Sequence, residues 1–397
     1  MEKNKKKILP NKFLCRIIFG IYALYAKLFY RIKVDNKVLK KYKKIPHLVL
    51  SNHGGINDIL YLNKGALPNI YTMVSTLNMK RNKMLRFMDK ACNNIVWRRQ
   101  FSVDIKCLRQ LGEIAKNGGN IALFPEGRTS IAGRETKIQP SIVKLLKFLK
   151  LPVIGAIMEG NYMTNPRWAN AQRNGKVTVK FFELFTAEEL EREKSEDLYE
   201  KINQTFKYDE YKTALDKKRQ YKGVLLAEGL ENVLFRCPVC NKEYTTKTND
   251  NRIYCTECGY EGIIDNYGRI TPFPEKINSI SDWYEYEEDY YKEVTDKNED
   301  YEFSLEGDLE ISEAEKFEFE NKGKVTLTVN KDKIICKNEN VIFEQSIKEN
   351  PAILFKDNKF IAFYDEKNMY KIFPDNKQTI IKFDLLCQIF NNKKVES

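Results

Sequence analysis

Two clusters in this 397-residue chain carry side chains able to move a proton and hold a phosphate. The first is Asn52-His53-Gly54-Gly55-Ile56-Asn57-Asp58. An imidazole ordinarily titrates closest to neutrality, so His53 suits a general base, and a carboxylate beside it would fix its tautomer. Residues five apart on one regular helix point about 140° away from each other. His53 and Asp58 can therefore meet only if His53 sits in a strand-to-helix turn and Asp58 reaches back from the first helical turn. Gly54-Gly55 permits the tight backbone that this requires. Taken alone, the pair reads more readily as a loop histidine beside an unrelated acidic helix start.

The second cluster is Phe124-Pro125-Glu126-Gly127-Arg128-Thr129-Ser130. Pro125 stops a strand, Gly127 lets backbone approach a ligand, and Arg128, Thr129 and Ser130 offer donors to phosphate oxygens. Between the clusters lies Ile95-Val96-Trp97-Arg98-Arg99, where an arginine can clamp a phosphate with two parallel hydrogen bonds. A third constellation is Cys237-Pro-Val-Cys240 and Cys255-Thr-Glu-Cys258, with fourteen residues between the pairs. Four thiolates from two such knuckles complete a tetrahedral Zn2+ site with no open position, so its role is structural. Residues 231–270 hold 5 Lys/Arg against 6 acids, too few cations for phosphate-backbone binding, so nucleic acid is not an expected partner. Protein contact, or stapling of a small domain, is the expected role.

The elements that must position these residues follow from periodicity. Segments 47–51, 120–124, 152–158 and 176–184 read as strands. Residues 104–117 read as a helix with Ile105, Leu108, Leu111 and Ile114 on its apolar face, stopped by Asn117-Gly118-Gly119. Residues 141–150 suit another helix. Thr186-x-x-Glu189 is a capping box, and Leu198, Ile202 and Phe206 line a later helix. Strands separated by helices of this length predict an α/β domain over roughly 46–210. From 300 onward the segments 323–329, 333–336, 341–345, 352–355, 359–364 and 369–373 read as short strands, followed by an amphipathic helix over 378–391. Strands closed by one terminal helix resemble a pleckstrin-homology or GRAM-like barrel in architecture; a plain structural β-domain fits equally.

Charge is split along the chain. Residues 1–45 carry +12, residues 46–230 carry +11 and residues 231–397 carry −11, which points to an anionic partner at the front only. With 2 histidines in the sequence, a His-rich metal enzyme is excluded. The 9 cysteines are odd in number and scattered apart from the two knuckles, which predicts a reducing, cytosolic space. Residues 13–32 are apolar and aromatic, but only ten uncharged residues separate Arg16 from Lys27, short of the ~20 needed to span a bilayer. They predict an interfacial helix whose rings Phe19, Tyr22, Tyr25, Phe29 and Tyr30 enter the acyl boundary. Lys3, Lys5, Lys6, Lys7, Lys37, Lys40, Lys41, Lys43 and Lys44 would lie near anionic headgroups. A buried core helix with a solvated basic tail is the alternative.

Taken together, the motifs over residues 13–210 resemble those of the 1-acyl-sn-glycerol-3-phosphate acyltransferases. The family's His-x-x-x-x-Asp motif matches His53 and Asp58. Its apolar-apolar-x-Arg motif matches Arg98, with Arg99 as the alternative. Its Phe-Pro-Glu-Gly motif matches Phe124 to Ser130, and its apolar-Pro strand matches Leu151-Pro152-Val153-Ile154. Gly55, the order Arg128-Thr129 and Gly155-Ala156 depart from the common pattern and bear on acceptor specificity. The resemblance implies acyl transfer from acyl-CoA or acyl carrier protein to the sn-2 hydroxyl of lysophosphatidic acid, giving phosphatidic acid. His53 and Asp58 would be catalytic, with N–H groups near Gly54-Gly55 facing an oxyanion. Arg98, Glu126, Gly127, Arg128, Thr129 and Ser130 would serve the acceptor site, and no cofactor would be needed for catalysis. Glycerol-3-phosphate or another lysophospholipid as acceptor, or a non-catalytic lipid-binding zinc-ribbon scaffold, are the alternatives.

The organisation expected is therefore a basic N-terminal segment with an interfacial helix (1–45), an acyltransferase domain (46–210), a linker (211–235), a zinc ribbon (236–265) and a β-rich domain with a terminal helix (300–397). The expected place is the cytoplasmic face of the cell membrane, peripheral or monotopic.

Overall fold

A computed structural model describes residues 8–29, 31–55, 57–66, 69–76, 83–98, 104–272, 274, 277–313, 316, 318–348, 353–356, 359–365 and 367–396. They group into two units, one within residues 8–223 and the other comprising Trp168–Ala171 and the residues from Val224 on.

The first unit is built on seven strands: β1 (Arg31–Asp35), β2 (Leu48–Ser51), β3 (Tyr71–Thr76), β4 (Ile95–Arg98), β5 (Asn120–Leu123), β6 (Val153–Glu159) and β7 (Lys176–Phe185). They lie in the order β1-β7-β6-β2-β5-β3-β4. Strands β6, β2, β5, β3 and β4 run parallel, while β7 is antiparallel to β6 and carries β1 alongside in its own direction. This direction rule fixes the site: the loops leaving all five parallel strands emerge at one edge of the sheet.

Helices α1 (Lys12–Phe29), α2 (Asp58–Ala66), α3 (Lys83–Cys92), α4 (Ile105–Lys116), α5 (Ser141–Leu149), α6 (Asn161–Thr164), α7 (Ala187–Arg192), α8 (Ser195–Thr205) and α9 (Glu210–Asp216) complete the unit. Alternate residues of the central strands feed opposite faces, as a pleat demands. Leu48, Leu50, Ile121 and Leu123 pack with α4, α5 and α8, while Val49, Ala122 and Ile154 pack with Tyr61 and Leu62 of α2. Helix α4 differs from the expectation. Its buried face is Cys107, Leu111 and Ile114, and Ile105 and Leu108 are 65% and 37% exposed. A strict three-residue repeat drifts around a helix of 3.6 residues per turn, so Ile105 and Leu108 rotate off the face that Leu111 and Ile114 bury.

Helix α1 packs one side on the protein through Cys15 and Phe19, against Leu85, Met88, Cys92 and Ile95. Its opposite side leaves Phe13, Ile17, Ile21 and Leu24 71%, 44%, 67% and 62% exposed. Phe19, expected to enter a membrane, is thus a core residue: it lies two positions from both Ile17 and Ile21, on the other side of the helix. The side chains of Tyr22, Tyr25 and Phe29, with Tyr30 and Lys3 to Lys7, lie outside the described residues. The helix starts beside Cys92, whose carbonyl accepts the Asn11 N–H at 2.7 Å, and leads into β1 at the edge where the parallel strands end. No helix among the described residues is long and apolar enough to cross a membrane.

The second unit begins with a small antiparallel sheet of β8 (Thr246–Asn249), β9 (Arg252–Cys255), β10 (Glu261–Ile264) and β11 (Ile270–Thr271), ordered β11-β10-β9-β8. Helix α10 (Ile280–Lys297) follows, opened by a capping box between Ser279 and Asp282. A seven-stranded antiparallel sheet comes next: β12 (Phe303–Glu313), β13 (Glu320–Val329), β14 (Lys333–Lys337), β15 (Val341–Ser346), β16 (Leu354–Lys356), β17 (Phe360–Tyr364) and β18 (Asn368–Pro374). Its order is β15-β14-β13-β12-β18-β17-β16. Phe343 of β15 lies 5.2 Å from Phe363 of β17 although four strands intervene, so the sheet curls until its ends approach. The last helix, α11 (Thr379–Glu396), buries Ile380, Ile381, Phe383, Leu385 and Leu386.

Candidate active site

His53 sits in the turn after β2 and Asp58 opens α2, as the five-residue spacing requires. The His53 Nδ1 and Asp58 Oδ2 atoms are 2.9 Å apart. A carboxylate only accepts, so Nδ1 carries a proton, and in the neutral ring Nε2 is the basic nitrogen. The ring stacks on Phe124 at 4.0 Å and is 18% exposed, while Asp58 is fully buried. Among the described residues no hydrogen-bond partner takes Nε2, and the side chain is partly exposed.

The Asp58 carboxylate has two further donors. Oδ2 also accepts the Gly55 N–H at 2.9 Å, and Oδ1 accepts the Asn161 amide at 3.0 Å. The Gly55 N–H, expected near an oxyanion, is therefore committed to orienting Asp58. The space here suits glycine alone: a Cβ on Gly54 would fall 2.6 Å from Asn161 Nδ2 and 2.8 Å from the Tyr162 N–H nitrogen.

Glu126, in the loop after β5, is buried. Its Oε1 accepts the His53 N–H at 2.9 Å, and its Oε2 accepts the Thr136 N–H at 3.0 Å and the Thr136 hydroxyl at 2.9 Å. The Tyr208 hydroxyl adds a contact at 3.3 Å. Burial pushes this carboxyl up to about 7 against the pull of those donors. Both Glu126 oxygens thus accept from protein donors, one of them the backbone N–H of His53.

The remaining loop residues divide. Ser130 is fully buried, its N–H donates to the His53 carbonyl at 2.8 Å and its hydroxyl to the Arg134 carbonyl at 2.6 Å. Both bonds brace the loop. The Gly127 N–H closes a turn on the Phe124 carbonyl at 3.0 Å, and Gly127 needs its glycine for φ +70°, since a Cβ there would meet nothing within 4 Å. Arg128 is 8% exposed and Thr129 half-buried. Arg98 ends β4, half-buried, three strand spacings from β2. At about 4.8 Å per spacing this is roughly 14 Å. Arg99 lies outside the described residues.

Three residues outside the motifs complete the support. Glu210 accepts the Gly160 N–H at 2.6 Å, and burial pushes it up to about 8. Tyr162 donates to the Ile131 carbonyl at 2.9 Å, and Tyr208 reaches Glu126. No spacing in the sequence signals these contacts, which join segments 31 to 82 residues apart.

In the second unit, Cys237, Cys240, Cys255 and Cys258 place their sulfur atoms within 4.8 Å of one another, where they could hold a metal ion. The Cys237–Cys258 and Cys240–Cys255 Sγ separations are both 3.7 Å. The knuckle is tied to both helices of its unit. Glu287 accepts the Arg236 N–H at 2.7 Å, the Trp283 indole donates to the Arg236 carbonyl at 2.8 Å, and Lys382 pairs with Glu243 at 2.8 Å.

Residues 31–159 match the sequence model of the family described as Acyltransferase. Among solved structures, the chain is similar to the 1-acyl-sn-glycerophosphate (LPA) acyltransferase, PlsC, from Thermotoga maritima. The identity is 19%, the match covers 52% of this chain and 83% of that one, and the TM-score is 0.41. No curated protein matches the chain.

Proposed function

We propose that the chain, whose residues 31–159 carry an acyltransferase domain, moves a fatty acyl group from acyl-CoA or acyl carrier protein to the sn-2 hydroxyl of lysophosphatidic acid. The 2.9 Å contact between His53 Nδ1 and Asp58 carries this reading. Nε2 takes the hydroxyl proton as the oxygen bonds to the thioester carbonyl carbon. Collapse of the tetrahedral intermediate breaks the C–S bond, and the leaving thiolate recovers the proton from Nε2. Asp58 holds the tautomer and offsets the charge of the imidazolium. Arg98, some 14 Å from β2 by strand spacing, is assigned to the acceptor's phosphate with Arg128 and Thr129.

The exposed stripe of α1 and its neighbours Lys12 and Arg16 support docking on the cytoplasmic face of an anionic membrane. The cysteine cluster is assigned a structural Zn2+. A tetrahedron with Zn–S bonds of about 2.3 Å has S···S edges near 3.8 Å, which suits the two separations of 3.7 Å.

The experiment is release of the donor thiol with a panel of acceptors: lysophosphatidic acid, glycerol-3-phosphate and other lysophospholipids. Lysophosphatidic acid should be preferred, and His53→Ala should lower kcat by about 10²–10⁴-fold with unfolding unchanged. Full activity in that variant would remove the base assignment.

A further inference from the structure

Resting on the acyl-transfer reading, we infer that Asn161 is a positioning residue for the reaction, the third member of a relay that runs Asn161–Asp58–His53. Asn161 is 1% exposed and stands in the turn that leaves β6, next to β2 in the sheet. Its amide nitrogen lies 3.0 Å from Asp58 Oδ1. The opposite amide orientation would set its oxygen against a carboxylate oxygen, so the NH2 group is the one that faces Asp58.

The three contacts on Asp58 are unequal in what they fix. Gly55 and His53 both bind Oδ2 and come from the same loop as Asp58. They leave the carboxylate free to pivot about that one oxygen. Asn161 binds the other oxygen from the turn after a different strand, so it sets the plane of the carboxylate and through it the direction of the His53 ring. Its own turn is anchored on both sides: Gly160 by Glu210 at 2.6 Å, and Tyr162 by the Ile131 carbonyl at 2.9 Å. A ring held this way presents Nε2 in one direction, and a misplacement of about 1 Å in such a site costs on the order of 100-fold in rate.

Beside His53 from the preceding loop, the charge of Asp58 acts on Tyr208 and Glu210, from the segment that opens α9. None of them donates to Oδ1 among the described contacts.

Asn161→Ala and Asn161→Asp in the full chain test the assignment. Asn161→Ala should lower kcat on the order of 100-fold with the acceptor KM held. Asn161→Asp is nearly isosteric. Protonated, its carboxyl can still donate to Asp58; ionised, it faces a like charge. Its kcat should therefore approach that of the unchanged protein at low pH and fall as pH rises where the unchanged protein does not. A residue with a merely structural role would give no such recovery at low pH. Imidazole NMR gives a readout independent of turnover, since the chain has 2 histidines and His47 serves as the reference. The His53 Nδ1 proton should exchange faster in Asn161→Ala, with His47 unaffected. Wild-type kcat, pH profile and His53 exchange in both variants would overturn the assignment and leave the acyl-transfer reading standing. Absence of acyl transfer by the unchanged protein would instead sink that reading, and the exchange measurement would still decide whether Asn161 orients the pair.

Discussion

The Glu126 carboxylate accepts the backbone N–H of His53 at 2.9 Å, so the loop after β5 holds the main chain of the loop after β2. The proposed base is thus fixed twice, by its ring through Asp58 and by its backbone through Glu126.

This clamp predicts the behaviour of Glu126→Gln. One Glu126 oxygen accepts the His53 N–H and the other the Thr136 N–H. An amide has one acceptor and one donor end, so either orientation turns a donor toward a donor. The variant should lose about 1–3 kcal/mol of stability and show a lower kcat at unchanged acceptor KM. Denaturant unfolding and initial rates would check both. Unaltered stability would show that the clamp is dispensable.

Glu210 predicts a pH dependence. Burial lifts it from an ordinary 4.5 to about 8. The unfolded chain releases this proton near 4.5 while the folded one keeps it to about 8, so its contribution to stability is lost as pH rises through that window. Glu210→Gln retains an oxygen for the Gly160 N–H and has no proton to release. It should match the unchanged protein at the acid end and gain on it towards pH 8, by up to about 1.4 kcal/mol per pH unit. Urea midpoints across the range measure this, and parallel curves for the two proteins would refute it.

Much of this site was legible in the sequence because its carriers are local. The offset between His53 and Asp58 excludes a common helix and demands a turn, and strands β2, β5 and β6 are short apolar runs. Asn161 was not legible as a partner of Asp58: their contact spans 103 residues, and no spacing ties Gly160-Asn161-Tyr162 to the His53 loop. Strand β12 escaped because Glu306, Asp308 and Glu310 alternate with Leu305, Gly307 and Leu309, and the acids obscure the apolar period. Helix α10 escaped for a different reason. Its run of Trp283, Tyr284, Tyr286, Tyr290 and Tyr291 favours strands by propensity, and packing overrides that preference.

The cysteine knuckle predicts a metal-dependent second unit. Zinc content should be one ion per chain, and Cys240→Ser or a strong chelator should remove it. Hydrogen exchange should then rise first over 236–264, whose contacts to α10 and α11 radiate from the knuckle. Full protection after metal removal would mean that hydrogen bonds alone hold the knuckle.

The apolar stripe of α1 predicts separable membrane binding. Replacing Ile17, Ile21 and Leu24 with Asn should weaken binding to anionic vesicles by roughly 1.5–3 kcal/mol per side chain. Cys15 and Phe19 are untouched, so the helix should stay docked and turnover of a water-soluble short-chain acceptor should persist. Undiminished sedimentation with vesicles would place the docking surface elsewhere.

The match to the acyltransferase family ends at residue 159, one residue short of the turn that carries Asn161. A shortened gene product cut at that boundary would keep His53, Asp58, Arg98 and Glu126. It would lack the amide on Asp58 Oδ1 and the phenol on Glu126, together with Gly160 and the Glu210 carboxyl that holds it. Motif boundaries are therefore a poor guide to the smallest competent catalyst here, and any minimised version has to extend at least through α9.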